Sequence, residues 1–363
     1  MPDWTKSMTQ TFEYYIVDPG TWKDDRPLTN VKSCTITRDA TVETLGSATF
    51  EITESVGECY IRVYLITIQN GVKEKHPLGT FLVQTPTSDF DGKVRAVSMD
   101  AYTPLLELRE NPPPVGYYIP KDENVMDIAY RLTKEHVRAP VVKTNHRAVN
   151  SSDYAADPGD TWLSFLSAFI SNHAYNDGVN PTIASYTYAL DEMGRILFAP
   201  KQDTASLQPV WTYTDDNSSI LYPDMSMAHD LYGIPNVVEV VYSDGTTIDF
   251  TYAKNDDPNS PTSIRSRGRE ITYRDTNPSL VGNPTKAQLQ EYTDQLLRTL
   301  STVEYTISYT HGYCPVRLDD CVRFNYSRNG LNDIKAKVIS QTIKCVPGCP
   351  VSEKAVFTTK LWK

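Results

Sequence analysis

Long hydrophobic runs are missing from this sequence. The longest near-apolar stretches, Tyr64-Leu65-Ile66-Thr67-Ile68 and Phe165-Leu166-Ser167-Ala168-Phe169-Ile170, fall far short of the roughly 20 residues a membrane helix needs. That predicts no membrane insertion. Met1 to Gln10 mix Asp, Trp, Lys and Thr without the apolar core of a signal peptide, so the product is expected to stay in the cytoplasm that makes it. Basic residues are also scarce: 35 Lys and Arg face 45 Asp and Glu, a formal charge of −10. This opposes tight binding to phosphate backbones, which depends on clustered Lys and Arg. Only six cysteines occur in 363 residues, too few for a disulfide scaffold, and cytosolic synthesis favours reduced, buried thiols. The motifs of common catalysis are missing as well. There is no His-x-x-x-His, His-Glu-x-x-His, Gly-x-Ser-x-Gly, P-loop or dinucleotide fingerprint.

What is present is an ordinary globular composition, 40% hydrophobic and 22% charged, long enough for two or three domains. Tyrosine is in excess, 23 against 10 Phe and 5 Trp, which favours half-buried β-sheet and interfaces. The first hundred residues alternate as strands at 33–37, 48–53, 60–68, 79–85 and 94–99. Asn70-Gly71 and Asp91-Gly92 supply hairpin turns. Asn111-Pro112-Pro113-Pro114 ends that pattern, because three prolines forbid both helix and central strand.

Beyond the prolines, Val125, Ile128, Ala129 and Leu132 share a helical face. Asp160 is predicted to cap a second helix whose stripe is Trp162, Phe165, Leu166, Phe169 and Ile170. A hairpin follows, 186–190 and 195–200, turning at Asp191-Glu192-Met193-Gly194. Strands return at 237–242 and 247–252 around Asp244-Gly245. A helix opened by the capping box Thr285 and Gln288 carries Leu289, Tyr292, Leu296 and Leu300, and strands close the chain at 306–309, 320–326, 336–342 and 355–361. The pair 79–85 and 94–99 is echoed by 335–342 and 355–360, as two modules of one design would be. The predicted fold is mainly β with an α+β insert. Residues 1–110 and 236–363 form two similar antiparallel β-barrels, the second carrying the long helix, and they flank a smaller α+β domain at 111–235.

Candidate chemistry is sparse. Cys314, Cys321, Cys345 and Cys349 can be read as a zinc site, as partners in a late disulfide or as packing thiols. The seven-residue step from Cys314 to Cys321 is unlike the tight knuckle zinc needs, and packing is the reading adopted. Cys34 and Cys59 can pair, or serve as core thiols. His173 and Asp177 have metal spacing but fall at a predicted helix exit. His229-Asp230 and Asp319-Asp320 are adjacent in sequence and so diverge from any one reacting atom. Asp215-Asp216-Asn217-Ser218-Ser219 opens like a calcium loop but lacks its Gly and distal Glu. No catalytic, cofactor or metal residue is assigned.

The order of parts resembles the tail hub, or baseplate hub, proteins of long-tailed bacteriophages, relatives of the hub portion of type VI secretion spikes. Three segments carry the resemblance: Asp160-Thr161-Trp162-Leu163-Ser164-Phe165-Leu166, the hairpin Tyr188 to Pro200 with its acidic-Gly turn, and Gly312 to Phe324, where Pro315 and an apolar residue precede an acidic turn and a strand. Asp319-Asp320 stands where the family more often has Gly-Asp.

The resemblance implies a non-enzymatic virion protein of the tail tip or baseplate, assembled in the host cytoplasm as a homotrimer whose six barrels make a pseudo-sixfold ring. Its implied partners are the tail tube protein, distal tail or baseplate proteins and a spike or fibre. DNA would pass the lumen without specific binding. Because the sequence ends at Lys363 just after the last predicted strand, the spike is expected to be a separate protein. The alternatives are a cell-wall carbohydrate hydrolase, tail-associated or secreted, with a carboxylate pair hidden among the acidic residues, and a glycan-binding β protein with aromatic platforms.

Overall fold

A computed structural model describes residues 2–53, 56–90, 95–171, 183–202, 204–229, 231–243, 248–276, 278 and 284–360. The predicted turns at Asp91-Gly92 and Asp244-Gly245, together with His173, Asp177 and Asp230, lie outside the described residues.

Two compact units are present: Met1–Met225 with Ser308–Ala355, and Ser226–Ile307 with Val356–Lys363. The chain opens with seven strands, β1 (Thr9–Asp18), β2 (Lys23–Pro27), β3 (Val31–Asp39), β4 (Gly46–Ile52), β5 (Tyr60–Gln69), β6 (Val72–Phe90) and β7 (Arg95–Tyr102). The β5–β6 turn forms where predicted. Asn70 at φ 51° and Gly71 at φ 79° both take the left-handed conformation that a two-residue hairpin loop demands.

A helical stretch follows: α1 (Leu106–Arg109), β8 (Tyr118–Ile119), α2 (Val125–His136), β9 (Tyr154–Ala155) and α3 (Trp162–Ser171). Asn124 caps α2 by accepting from the Asp127 amide, and the predicted face of α2 is buried. Thr161, not Asp160, caps α3. Its carbonyl accepts from the Phe165 amide and its hydroxyl from the Ser164 amide, while Asp160 instead holds the Ser164 hydroxyl and the Asp157 amide. The predicted hairpin forms as β10 (Ile183–Leu190) and β11 (Ile196–Gln202), with Leu190 paired to Ile196 and Tyr186 to Pro200.

Then come β12 (Trp211–Thr214), β13 (Leu221–His229), β14 (Val237–Ser243), β15 (Ile248–Lys254), α4 (Ile264–Arg267), β16 (Thr272–Asp275), α5 (Lys286–Leu300), β17 (Thr302–Gly312), β18 (Cys321–Tyr326), β19 (Leu331–Lys344) and β20 (Pro350–Lys360).

The fold is thus mainly β, with one large, predominantly antiparallel sheet and small helices. The sheet runs β13-β17-β20-β19-β3-β4-β7-β6-β5-β1-β2, with β18 on β19 and β12 parallel to β18. Among the described residues no strand pairing closes this sheet into a barrel. The two β regions expected as separate barrels are joined instead, because β19 pairs with β3 from Ser340↔Asp39 to Lys344↔Thr35. That pairing satisfies the open edge β3 would otherwise leave.

Two of the hydrophobic clusters in the first unit position its elements. One is filled by α1, α2, α3 and the β10–β11 hairpin, packed on Val17, Trp22, Tyr60 and Leu82 of the β region. The other lies within the β region and takes in Tyr313, Ile343, Cys345, Cys349 and Val351 from the end of the chain. In the second unit, the sheet β15-β14-β16 packs Val238, Val240 and Ala253 against Leu289 and Leu297 of α5. Both halves of the Thr285–Gln288 capping box form, and the deepest residues of α5 are Leu289, Thr293 and Leu297. Tyr292, Leu296 and Leu300 of the predicted face are partly buried beside them.

Candidate functional site

Two of the sequence segments that carry the family resemblance meet in the first unit. The turn of the β10–β11 hairpin closes on itself: the Asp191 carboxylate accepts from the Arg195 amide at 2.8 Å and from its guanidinium at 2.5 Å, and the Gly194 amide donates to the Asp191 carbonyl at 2.9 Å. Gly194 is at φ +74°, and a Cβ there would stand 2.7 Å from the Thr80 Cβ, so only glycine seats this turn.

The seat is built by the β region. The Met193 carbonyl accepts from the Trp22 indole at 2.8 Å and from Arg62 at 3.2 Å. Arg62, on β5, is only 1% exposed, and its charge is answered by Asp24 at 2.8 Å, the Thr80 hydroxyl at 2.9 Å and the Trp22 carbonyl at 3.2 Å. On the other flank, Glu192 forms an ion pair with Arg317. A cavity of about 180 Å³ lies between turn and sheet, lined by Arg38, Leu78, Phe81, Leu190, Leu197 and Leu318 among others.

A second buried polar group laces the strands together. Glu353 of β20 and His311 of β17 are fully buried, with Nε2 and Oε1 3.2 Å apart. Glu353 Oε2 accepts from the Tyr309 hydroxyl at 2.5 Å and the Tyr213 hydroxyl at 3.2 Å, and Oε1 accepts from Gln341. Gln341 in turn accepts from Arg38 at 2.9 Å, and Arg38 donates to the Leu78 carbonyl at 2.6 Å. The chain of bonds therefore runs from β12, β17 and β20 through β19 to β3.

Burial disfavours the charged imidazole, but hydrogen bonds to Cys314 and Glu353 and the charge of Glu353 outweigh it and raise the pKa of His311 to about 10. Burial likewise opposes the Glu353 carboxylate. His311, Tyr309 and Gln341 prevail and hold its pKa below the usual range. The pair is an imidazolium carboxylate at neutral pH.

Cys314 Sγ lies 3.8 Å from His311 Nδ1, so a thiol, an imidazole and a carboxylate follow one another in order. That is the order of a nucleophile, its base and an orienting acid. All three are at most 2% exposed, however, and Nδ1 is already 2.6 Å from the Gly312 carbonyl. With no face open to a substrate, the cluster is a structural tie.

The other residues weighed in the sequence are dispersed. Asp319 turns out to Lys337 at 2.7 Å, while Asp320 accepts from the Arg317 amide at 2.8 Å, so the adjacent pair diverges as expected. Asp215 holds the Ser327 hydroxyl and Asp216 caps its own loop at Ser218. His229 lies against Tyr305. All six cysteines are free thiols. Among the described residues, no group of three or more His, Cys, Asp and Glu is placed to hold a metal, and no helix is long and apolar enough to cross a membrane.

Solved structures share this architecture over nearly its whole length. The tail protein from Neisseria meningitidis MC58 superposes with a TM-score of 0.59 at 15% identity, covering 97% of this chain and 98% of the other. The chain has a phage tail hub-like fold. The 43 kDa tail protein of prophage MuSo2 from Shewanella oneidensis shares that fold with a TM-score of 0.60 at 11% identity, covering 95% of this chain and 98% of its own. The hub-like fold also recurs in a Francisella PdpA–VgrG complex, with a TM-score of 0.52 at 8% identity, where 97% of this chain matches 53% of the other. No protein-family model matches the sequence, and neither does any curated protein. The tail hub-like fold therefore rests on architecture.

Proposed function

We propose that the protein is a structural, non-enzymatic component of a phage tail tip or baseplate, three copies of which form a ring joining the tail tube to a spike or fibre. The observation that carries this reading is the end-to-end match with two tail proteins, in which nearly all of each chain is used. Residues 1–110 and 236–363 act as two tube-like β modules around an α+β insert at 111–235. Three copies of two modules give the approximate sixfold order a tail tube needs while keeping true threefold symmetry. The pairing of β19 with β3 supports this reading by holding strands of both β regions side by side. The excess of acidic residues suits a lumen that DNA crosses without sticking.

The test is native mass spectrometry of the purified chain, alone and with the phage's tail tube protein, followed by electron microscopy of any ring. A trimer that caps the tube is expected. A chain that stays monomeric at micromolar concentration both alone and with the tube protein overturns the reading, as does hydrolysis of host cell-wall glycan by the chain.

A further inference from the structure

Three of the six thiols converge in the β-region core: Cys34 on β3, and Cys345 and Cys349 on either side of the Val346-Pro347-Gly348 turn between β19 and β20. The β19–β3 register, Ile343↔Ile36 and Lys344↔Thr35, continues one step further to set Cys345 opposite Cys34. The Cys345 amide donates to the Cys34 carbonyl at 3.0 Å. Directly opposed, hydrogen-bonded residues of an antiparallel pair have Cα atoms about 5.5 Å apart and side chains on the same face. That spacing is inside the roughly 4.4–6.8 Å a disulfide spans. The two thiols also interact, since hydrogen bonding to Cys34, together with burial, pushes the Cys345 thiol far up. Cys59, the partner considered from the sequence, lies at the margin of this core and is only partly buried.

We propose that Cys34 and Cys345 are a disulfide-forming pair, closed by a low-molecular-weight disulfide such as oxidised glutathione, that locks β3 to β19. Cys345, the more exposed of the two at 7%, is the first to react. Its thiolate attacks one sulfur of oxidised glutathione, a protein–glutathione disulfide forms, and one reduced glutathione leaves. The Cys34 thiolate then attacks Cys345 Sγ and expels the second glutathione. Two protein thiols give up two protons and two electrons, and one oxidised glutathione becomes two reduced ones. Both thiols are buried, and the Cys345 thiolate is scarce, so the native chain reacts slowly and a urea concentration below the unfolding transition accelerates closure. The bond would bridge segments near the two ends of the chain and enclose a very long loop. The inference does not depend on the tail reading.

The test incubates the full chain with oxidised glutathione in sub-denaturing urea, blocks the remaining thiols with iodoacetamide, digests without reduction and maps the peptides by mass spectrometry. The expected product joins the Cys34 and Cys345 peptides, forms equally in Cys349→Ser, and disappears in Cys345→Ser. The oxidised protein should unfold at higher urea than the reduced one, and dithiothreitol should reverse the shift. A Cys345–Cys349 or Cys34–Cys59 link as the main product overturns the proposal, as does a lasting glutathione adduct. Two thiols still free after long exposure, or an oxidised chain no more stable than the reduced one, does the same.

Discussion

Raising the pH from 6.5 should cost this protein stability well before its tyrosines titrate, and the buried His311–Glu353 pair sets the size of the loss. The folded pKa of His311, about 10, lies above the ordinary value of 6.5, so the unfolded chain releases this proton first. The stabilisation is fully present below pH 6.5 and is lost progressively as pH rises towards 10. One proton of difference is worth ~1.4 kcal/mol per pH unit, so the decline between pH 6.5 and about 8.5 is about 2.5 kcal/mol. The upper end of the window carries a smaller addition. Unfolded thiols, with an ordinary pKa of 9.0, begin to ionise by pH 8.5 while Cys345 and Cys349 stay protonated in the fold, which adds a loss of about 0.2 kcal/mol each. Tyrosines start from 10.0, and Tyr213 and Tyr309 stay protonated.

Urea unfolding followed by tryptophan fluorescence measures it, since Trp4, Trp22, Trp162 and Trp211 all belong to the unit that holds the pair. His311→Gln keeps a hydrogen-bond donor but no charge. It should cost about 3–5 kcal/mol at pH 6.5, because the Glu353 charge is left without its counterion, and should remove most of the slope to pH 8.5, leaving only the small part that the buried thiols supply. Should the variant fail to fold, the NMR titration of His311 in the parent decides, with an imidazolium expected to persist at pH 8.5. A flat parent profile, or a variant with the parent's slope, refutes the assignment.

The two units offer separate tests. Gly194→Ala forces a Cβ towards Thr80 at a positive φ and should destabilise the first unit by about 1–3 kcal/mol in the same urea titration. Thr285→Ala removes the capping box of α5 and should cost ~1 kcal/mol, read as faster hydrogen exchange in 286–300 with the first unit unchanged.

Local structure was legible wherever one face of an element is buried. The hairpin turns at Asn70-Gly71 and Asp191–Gly194 and the α5 capping box follow from backbone rules that neighbours do not override. The joining of the two β regions was not legible, because strand partners so far apart leave no local trace; β19 could as well have found another edge. The polar core did leave a signal. Along β17 the inward positions are Ile307, Tyr309 and His311, and along β20 they are Val351, Glu353 and Ala355. A charge at an inward position of an alternating strand requires a buried partner, and here two such strands answer each other. The docking of Met193 onto Trp22 and Arg62 had no such mark, since a backbone carbonyl accepts irrespective of its side chain.

The pairing of Ser340 with Asp39 also sets a timetable. Translation at roughly 5–20 residues per second means that β3 leaves the ribosome about 15–60 s before β19 exists to cover it. Through that interval the N-terminal strands have an open edge of unpaired backbone, the template on which strands of other nascent chains add. Synthesis that slows after the first hundred residues would lengthen the hazard, and a chaperone engaging β3 early would remove it. The yield of folded protein should therefore respond to translation rate and chaperone supply more than its final stability would suggest.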